Sequence, residues 1–303
     1  MLLFWTFVIA ILTAVTCSLA GVLLVVKREA FISEGLSHAV LPGIILAFLL
    51  FQDRSSPLLI IFAGLSGLLM VWLVQAIIST GRVKQDAALG IVFAGMFSCG
   101  IIASSLNLKH IRFDAHCIVD GNLAFAPLQQ YEFGGYILGP RAFVSMLICL
   151  IALISFICLF FKELKLMVFD ECAAHMAGLR PKLLHTVWLA AVSITAVAAF
   201  EVAGTILVVA MMIAPPAAAC LLTKRLSATF VISALLGMVS ATLGIVVSQW
   251  LAISPAGPIA SMSGVVFLLV VCFAPGQGLV SRWRTRKRQQ LMLREQLEKL
   301  GVG

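Results

Sequence analysis

Of the 303 residues, 62% are hydrophobic and only 11% are charged, with a mean hydropathy of +1.11. A soluble domain carries roughly 25% charged residues and could not hide so much apolar surface, so the composition excludes a soluble fold. The formal net charge of +8 does not indicate nucleic-acid binding. The basic residues sit at the ends of apolar runs and in the tail, as the positive-inside rule requires of a multispanning membrane protein.

Continuous apolar runs of about 20 residues recur along the chain, the length an α-helix needs to cross the hydrocarbon core. A transmembrane barrel would instead alternate over about 10 residues. The expected fold is therefore all-α. The first span covers about Phe4 to Val26 and ends at Lys27 and Arg28. It lacks a basic leader and a cleavage site, which makes it a retained span rather than a signal peptide. An amphipathic stretch, REAFISEGLSH, follows. A short second span covers Ala39 to Phe51, and a third Pro57 to Ser79, stopping at Arg82 and Lys84. The fourth covers Ala87 to Leu106. A polar loop extends to Arg141, and the fifth span covers Ala142 to Phe161, followed by Lys162 and Lys165. The polar stretch FDECAAHMAGLR comes next. Spans six (Leu183 to Phe200, interrupted by Glu201), seven (Gly204 to Leu222), eight (Ala228 to Trp250) and nine (Ile259 to Phe273) complete the bundle. The expectation is about nine transmembrane helices, or about eight if span two or seven is re-entrant. The transmembrane domain would cover residues 1–278, and a basic tail residues 279–303.

The distribution of Lys and Arg sets the orientation. With the N-terminus outside, Lys27, Arg28, Arg82, Lys84, Lys162, Lys165, Arg180, Lys182, Lys224, Arg225 and the tail all lie in the cytoplasm. Segment 166–182 is then cytoplasmic as well. A small-residue helix carrying Asp170, Glu171, His175 and Arg180 between two spans reads as a docking knob for a soluble partner. The tail reads as a topology anchor on anionic lipid. Eight cysteines are scattered without CxxC spacing, six of them inside apolar runs, where a thiol behaves as a small hydrophobe. Neither disulfides nor a cysteine metal site is expected.

Short spans interrupted by Pro or Gly point to a solute pathway. Two candidates exist: SHAVLPG with Pro42 and Gly43, and MMIAPPA with Pro215 and Pro216. Glu34 and His38 are four residues apart, so on a helix they share a face. A carboxylate and an imidazole there suit transient binding of a transition-metal ion. An interfacial helix with a hydrogen-bonded His38 would carry the same pattern. Glu201 lies between apolar runs, either within the membrane, where an ionisable group marks function, or at the outer interface. His110, Asp114, His116 and Asp120 could gather cations at the outer mouth, or simply form a polar loop. HExxH is absent, as is the GxxxxGK[ST] phosphate loop. If ATP drives this protein, another chain binds it.

The blocks GVLLVVKREAFISEGLSHAVLPG, DAALGIVFAGMFSCGII, FDECAAHMAGL, VAGTILVVAMMIAPPAAACLL and GIVVSQWLAISPAG resemble the membrane permease subunits of bacterial ABC importers for manganese, zinc and iron. The resemblance runs from about Gly21 to Gly278. It implies a non-catalytic pore subunit in the cytoplasmic membrane, with no tightly bound cofactor and a divalent metal ion as cargo. It also implies a second permease subunit (a copy or a paralogue), a cytoplasmic ATPase and an extracytoplasmic metal-binding protein. Glu34, Ser37 and His38 would line the pathway. Phe169, Asp170, Glu171, Ala174, Gly178 and Leu179 would form the coupling helix that docks on the ATPase. Glu34 stands where relatives often have Asp, Glu171 and then Cys172 follow FD where relatives often have Pro directly after FD, and Glu201 stands near a common Gln. The loop FDAHCIVDGNLAFAP is more similar to the manganese and iron permeases than to the zinc ones. A stand-alone secondary transporter is the alternative. It would need neither an ATPase nor a docking helix.

Overall fold

A computed structural model describes residues 2–51, 58–107, 130–133 and 136–274, together with Leu123 and Ala126. The helices are α1 (Leu2–Val26), α2 (Phe31–Phe51), α3 (Leu58–Ser79), α4 (Gln85–Asn107), α5 (Arg141–Leu159), α6 (Phe161–Phe169), α7 (Glu171–Met176), α8 (Pro181–Ala203), α9 (Thr205–Leu222), α10 (Leu226–Leu251) and α11 (Ala256–Phe273). Among the described residues, nine are long and apolar enough to span a membrane: all but α6 and α7. The chain is thus a multi-pass helical bundle.

Three sequence expectations need correction. First, the polar loop contains a small antiparallel hairpin, β1 (Gln130–Phe133) and β2 (Tyr136–Pro140), with Phe133 opposite Tyr136. Second, α2 is not short: the expected amphipathic stretch and second span form one 21-residue helix. Its polar residues Ser33, Glu34, Ser37 and His38 masked its first two turns. Third, Pro42, Pro215 and Pro216 do not break their helices; each lies inside an uninterrupted one. A proline removes one ladder hydrogen bond, and membrane helices absorb that loss where neighbours pack closely. Gly100 of α4 lies against Pro42, where an added Cβ would sit 3.2 Å from the proline nitrogen.

The bundle has two flanks. On one, α2 packs against both α3 and α4. On the other, α1 packs on α9 and α10, which also hold α11. Helix α8 joins the flanks, touching α1, α2, α3, α5 and α9. Helix α1 is the centre: 72% of its apolar window is buried, against 22% for α4, α5 and α11.

Lipid tails are as apolar as leucine, so helices in a membrane associate through close packing and small residues. Glycines supply the closest approaches here. A Cβ on Gly21 would overlap the Met212 carbonyl, joining α1 to α9. One on Gly244 would overlap the Ile259 backbone, joining α10 to α11. One on Gly43 would run into the Phe62 carbonyl and Ser66 of α3. Polar bonds add to this: the Ser233 hydroxyl of α10 donates to the Ser18 carbonyl of α1 at 3.1 Å, both buried.

Successive spans alternate in direction. The Lys- and Arg-bearing turns after α1, α3, α5 and α9 therefore share one end. At the other end Arg141 pairs with Glu201 at 3.8 Å, joining the start of α5 to the last turn of α8. Helix α8 runs on through Glu201 and stops only at Gly204, whose φ of +81° suits glycine. Glu201 is thus a partly exposed, paired group at a helix end.

Gly21→Ala should drive α1 and α9 apart and cost about 1–3 kcal/mol, the usual penalty for overpacking. Gly90→Ala is the control, because its Cβ would meet nothing within 4 Å. Thermal melts of the purified protein in detergent should show a lower midpoint for the first and none for the second. Equal midpoints would contradict the α1–α9 contact.

Candidate functional site

The predicted pathway residues lie on the first half of α2. Glu34 is exposed, while Ser37 and His38 are half-buried. The Ser37 hydroxyl donates to the Glu34 carbonyl at 2.6 Å, one turn back along the helix. The His38 ring is held by two aromatic rings of α4. It stacks on Phe93 with centroids 5.5 Å apart and meets Phe97 edge-on at 5.3 Å. The two phenylalanines fix the plane of the imidazole. They stand next to an exposed face of α4 built from Ala94, Gly95, Ser98, Cys99 and Ile102. Among the described residues, no three His, Cys, Asp or Glu side chains converge as a closed metal site. His110, Asp114, His116 and Asp120 lie outside the described residues, as does the basic tail. Pro42 and Gly43 sit one turn beyond His38, at the α2–α4 and α2–α3 contacts.

The predicted docking segment has a definite local structure. Helix α5 ends at Leu159 and α6 restarts at Phe161 after a kink at Phe160. Asp170 then caps α7: its carboxylate accepts from the Ala173 N–H at 2.8 Å, a bond that satisfies an otherwise unpaired helix donor. Helix α7 closes with Gly178 at φ +77°. The Gly178 N–H bonds the His175 carbonyl, and the Leu179 N–H reaches back to Ala174, both at 3.0 Å. This is the double bond pattern of a glycine-terminated helix. Pro181 then opens α8. Phe169, Asp170, His175, Met176 and Gly178 are exposed, whereas Ala174 is fully buried. Ala174 therefore anchors α7 to the bundle and does not belong to an outward contact, which corrects its expected role. A helix of six residues has too little length to hold its place unless one side is packed.

One polar cluster at this end has no sequence signature. Arg28 adopts φ +63°, a conformation that costs a non-glycine residue about 1–2 kcal/mol. The Arg28 and Glu29 N–H groups bond back to Val25 and Leu24 at 3.0 and 2.7 Å, so α1 ends as α7 does. The turn carries Glu29 inward. Its carboxylate accepts from His185 Nε2 of α8 at 2.8 Å, and only 11% of the Glu29 side chain and 15% of the His185 side chain are exposed. Gln75 of α3 lies 3.4 Å from His185 Nδ1, and its carbonyl accepts from the Thr186 hydroxyl at 3.1 Å. With Nε2 protonated, Nδ1 accepts from the Gln75 amide and every bond is consistent. The chain borders a cavity of about 300 Å³ that is also lined by Lys27, Gln85 and Lys182. Glu29 and His185 are 156 residues apart, so no local spacing could reveal them.

These features define a polytopic membrane protein with a histidine held on a small-residue helix face and a capped helical turn at one end. The chain belongs to the ABC 3 transport family, which matches residues 1–274. It is 36% identical to the manganese transport system membrane protein MntD of Bacillus subtilis, over 92% of this chain and 94% of that one. It is 39% identical to the zinc transport system membrane protein TroD of Treponema pallidum, over 90% of this chain and 74% of that one. Among solved structures, PsaBC from Streptococcus pneumoniae in complex with Fab matches with a TM-score of 0.72 and 26% identity, covering 90% of this chain and 91% of that one.

Glu29→Gln and His185→Ala should each lower the detergent melting midpoint, in line with the roughly 1–3 kcal/mol cost of leaving a buried partner unsatisfied. The double variant should lose little more than the worse single one, because both remove the same bond. Additive losses would show that the two groups do not act together.

Proposed function

We propose that this chain is the membrane permease subunit of an ABC importer that carries a divalent manganese, zinc or iron ion across the bacterial cytoplasmic membrane. The end-to-end family match carries this reading, and its transport chemistry fits the residues of α2. Glu34, Ser37 and His38 line the path of the ion. An imidazole with a carboxylate one turn away offers an incomplete ligand set, and incompleteness serves transport: a site must be strong enough to admit an ion and weak enough to release it. The metal is cargo, and the subunit itself holds no tightly bound cofactor and catalyses no reaction.

ATP hydrolysis belongs to a separate cytoplasmic ATPase subunit, which docks on the α7 segment around Phe169, Asp170, Glu171, Gly178 and Leu179. The clustering of Lys and Arg at that end supports a cytoplasmic setting, with the N-terminus outside. A second permease subunit packs on the small-residue face of α4, where close backbone approach is possible. An extracytoplasmic metal-binding protein delivers the ion.

His38→Ala should reduce metal uptake by the reconstituted complex by at least about tenfold, while the ATPase still co-purifies; a transported ion loses its nitrogen ligand. Uptake at the wild-type rate would remove His38 from the pathway. Gly178→Val should weaken ATPase co-purification without changing the melting midpoint by more than a few degrees. The backbone there has φ +77° and open space around it, so a β-branched residue distorts the turn and not the core. Undiminished ATP-driven uptake in that variant would count against α7 as the coupling element.

A further inference from the structure

A second cavity, of about 400 Å³, opens beside the docking segment between α6 and the α9–α10 turn. Its walls are Phe161, Lys165, Phe169, Lys224, Arg225, Leu226 and Ser227. Three of these seven residues are cations and none is a carboxylate. Lys165, Lys224 and Arg225 are all exposed, and no ion pair joins any of them to a described residue. Three like charges gathered on one concave surface repel one another unless an anion sits among them. A topology anchor would need only that such cations be near the membrane surface. Here they come from two elements more than fifty residues apart in sequence and line one open cleft.

The surroundings indicate which anion. Leu159, the last residue of α5, is 74% exposed, and Leu222, the last of α9, is also exposed. Each lies two residues before a wall of the cavity, at Phe161 and Lys224. Lys224 lies two residues beyond Leu222 and Lys165 six beyond Leu159, so the cations stand within about 10 Å of the lipid-facing ends of the spans. That is the depth of phospholipid headgroups. Leu166 adds exposed apolar surface on α6, suited to the glycerol and upper acyl region. The serine hydroxyl and the guanidinium supply hydrogen bonds to phosphate oxygens, the arginine in bidentate geometry.

We propose that this cavity binds the phosphate headgroup of an anionic phospholipid. Basic pockets between membrane helices hold acidic lipid headgroups in this way. The site differs from the ion pathway and does not rest on the transport reading: it requires only that α5, α9 and α10 sit in a bilayer. A bound lipid would bridge α6 to the α9–α10 turn directly beside α7.

The test is native mass spectrometry of the full chain, with whatever subunits co-purify, in a neutral detergent containing equal amounts of phosphatidylglycerol and phosphatidylcholine. The wild type should retain phosphatidylglycerol preferentially. The preference should fall about fivefold for each cation replaced in the series Lys165→Gln, Lys224→Gln and Arg225→Gln. Lys224→Arg should retain it. The single variants are each exposed-residue changes, so circular dichroism should show wild-type helicity, and the series can be read even if the triple variant does not fold. An unchanged lipid ratio across the series would overturn the proposal. So would displacement of phosphatidylglycerol by millimolar inorganic phosphate alone, which would assign the cavity to a free anion. Loss of a co-purifying cytoplasmic subunit with no change in lipid ratio would make it a protein contact and also refute the lipid site.

Discussion

Helix association without a hydrophobic drive is the constraint from which the structure follows. In a soluble protein, burial of side chains would hold α1 in the centre. In lipid that term nearly vanishes, and contact must come from the close approach of backbones. Gly21 therefore matters more than any large side chain on α1: it lets the helix lie directly on the Met212 carbonyl of α9. Gly43, Gly100 and Gly244 do the same for α2 on α3, α4 on α2 and α10 on α11. The position of His38 depends on the second of these contacts. Gly100 brings α4 against Pro42, and Phe93 and Phe97, about two turns and one turn earlier on α4, then reach the imidazole. The aromatic holder of His38 is a by-product of a glycine packed against a proline.

The spans themselves were legible in the sequence because their signal is averaged over about 20 residues and needs no partner. The failures occur where a single polar or cyclic residue was given more weight than its surroundings. Ser33, Glu34, Ser37 and His38 made the start of α2 read as an interfacial stretch, yet Ser33 and Ser37 turn their hydroxyls onto carbonyls three residues back. A hydroxyl satisfied in that way is tolerated inside an apolar helix. The prolines read as breaks because proline costs about 3 kcal/mol in an exposed helix, a penalty that neighbouring helices offset here. The hairpin between α4 and α5 was missed because strands of four and five residues leave little pattern in a polar loop.

The candidate site divides along the same line. The helix spacing of Glu34 and His38 and the polarity of segment 166–182 are local signals, present in the sequence itself. Burial of Ala174 could not, since on a six-residue helix every position looks exposed until its packed side is known. Glu29 and His185 were wholly beyond reach. One is placed by a backbone turn at Arg28 that sequence would assign to glycine, and its partner comes from the other half of the chain. The Arg141–Glu201 pair is similar: it gives a partner 60 residues away to an acid that the sequence placed either within the membrane or at the outer interface.

The Glu29–His185 bond also says how a displacement of the α7 turn would travel. Helix α7 ends at the Gly178 turn, and Pro181 starts α8 three residues later. His185 lies about one helical turn into α8, roughly 6 Å along its axis. Its imidazole holds Glu29, which Ala30 alone separates from the start of α2, the helix of Glu34 and His38. A displacement of α7 therefore meets a turn, a rigid helix start and a single polar bond before it reaches the helix of the candidate pathway. Gln75 and Thr186 brace that bond from α3 and α8, so the imidazole cannot simply rotate away under load. Burial strengthens it further, because the bond has little competition from water. The strain held at Arg28 fits the same scheme: a relaxed turn would point Glu29 elsewhere and break the polar tie between the α1–α2 turn and α8, and an apolar contact slides where a hydrogen bond resists.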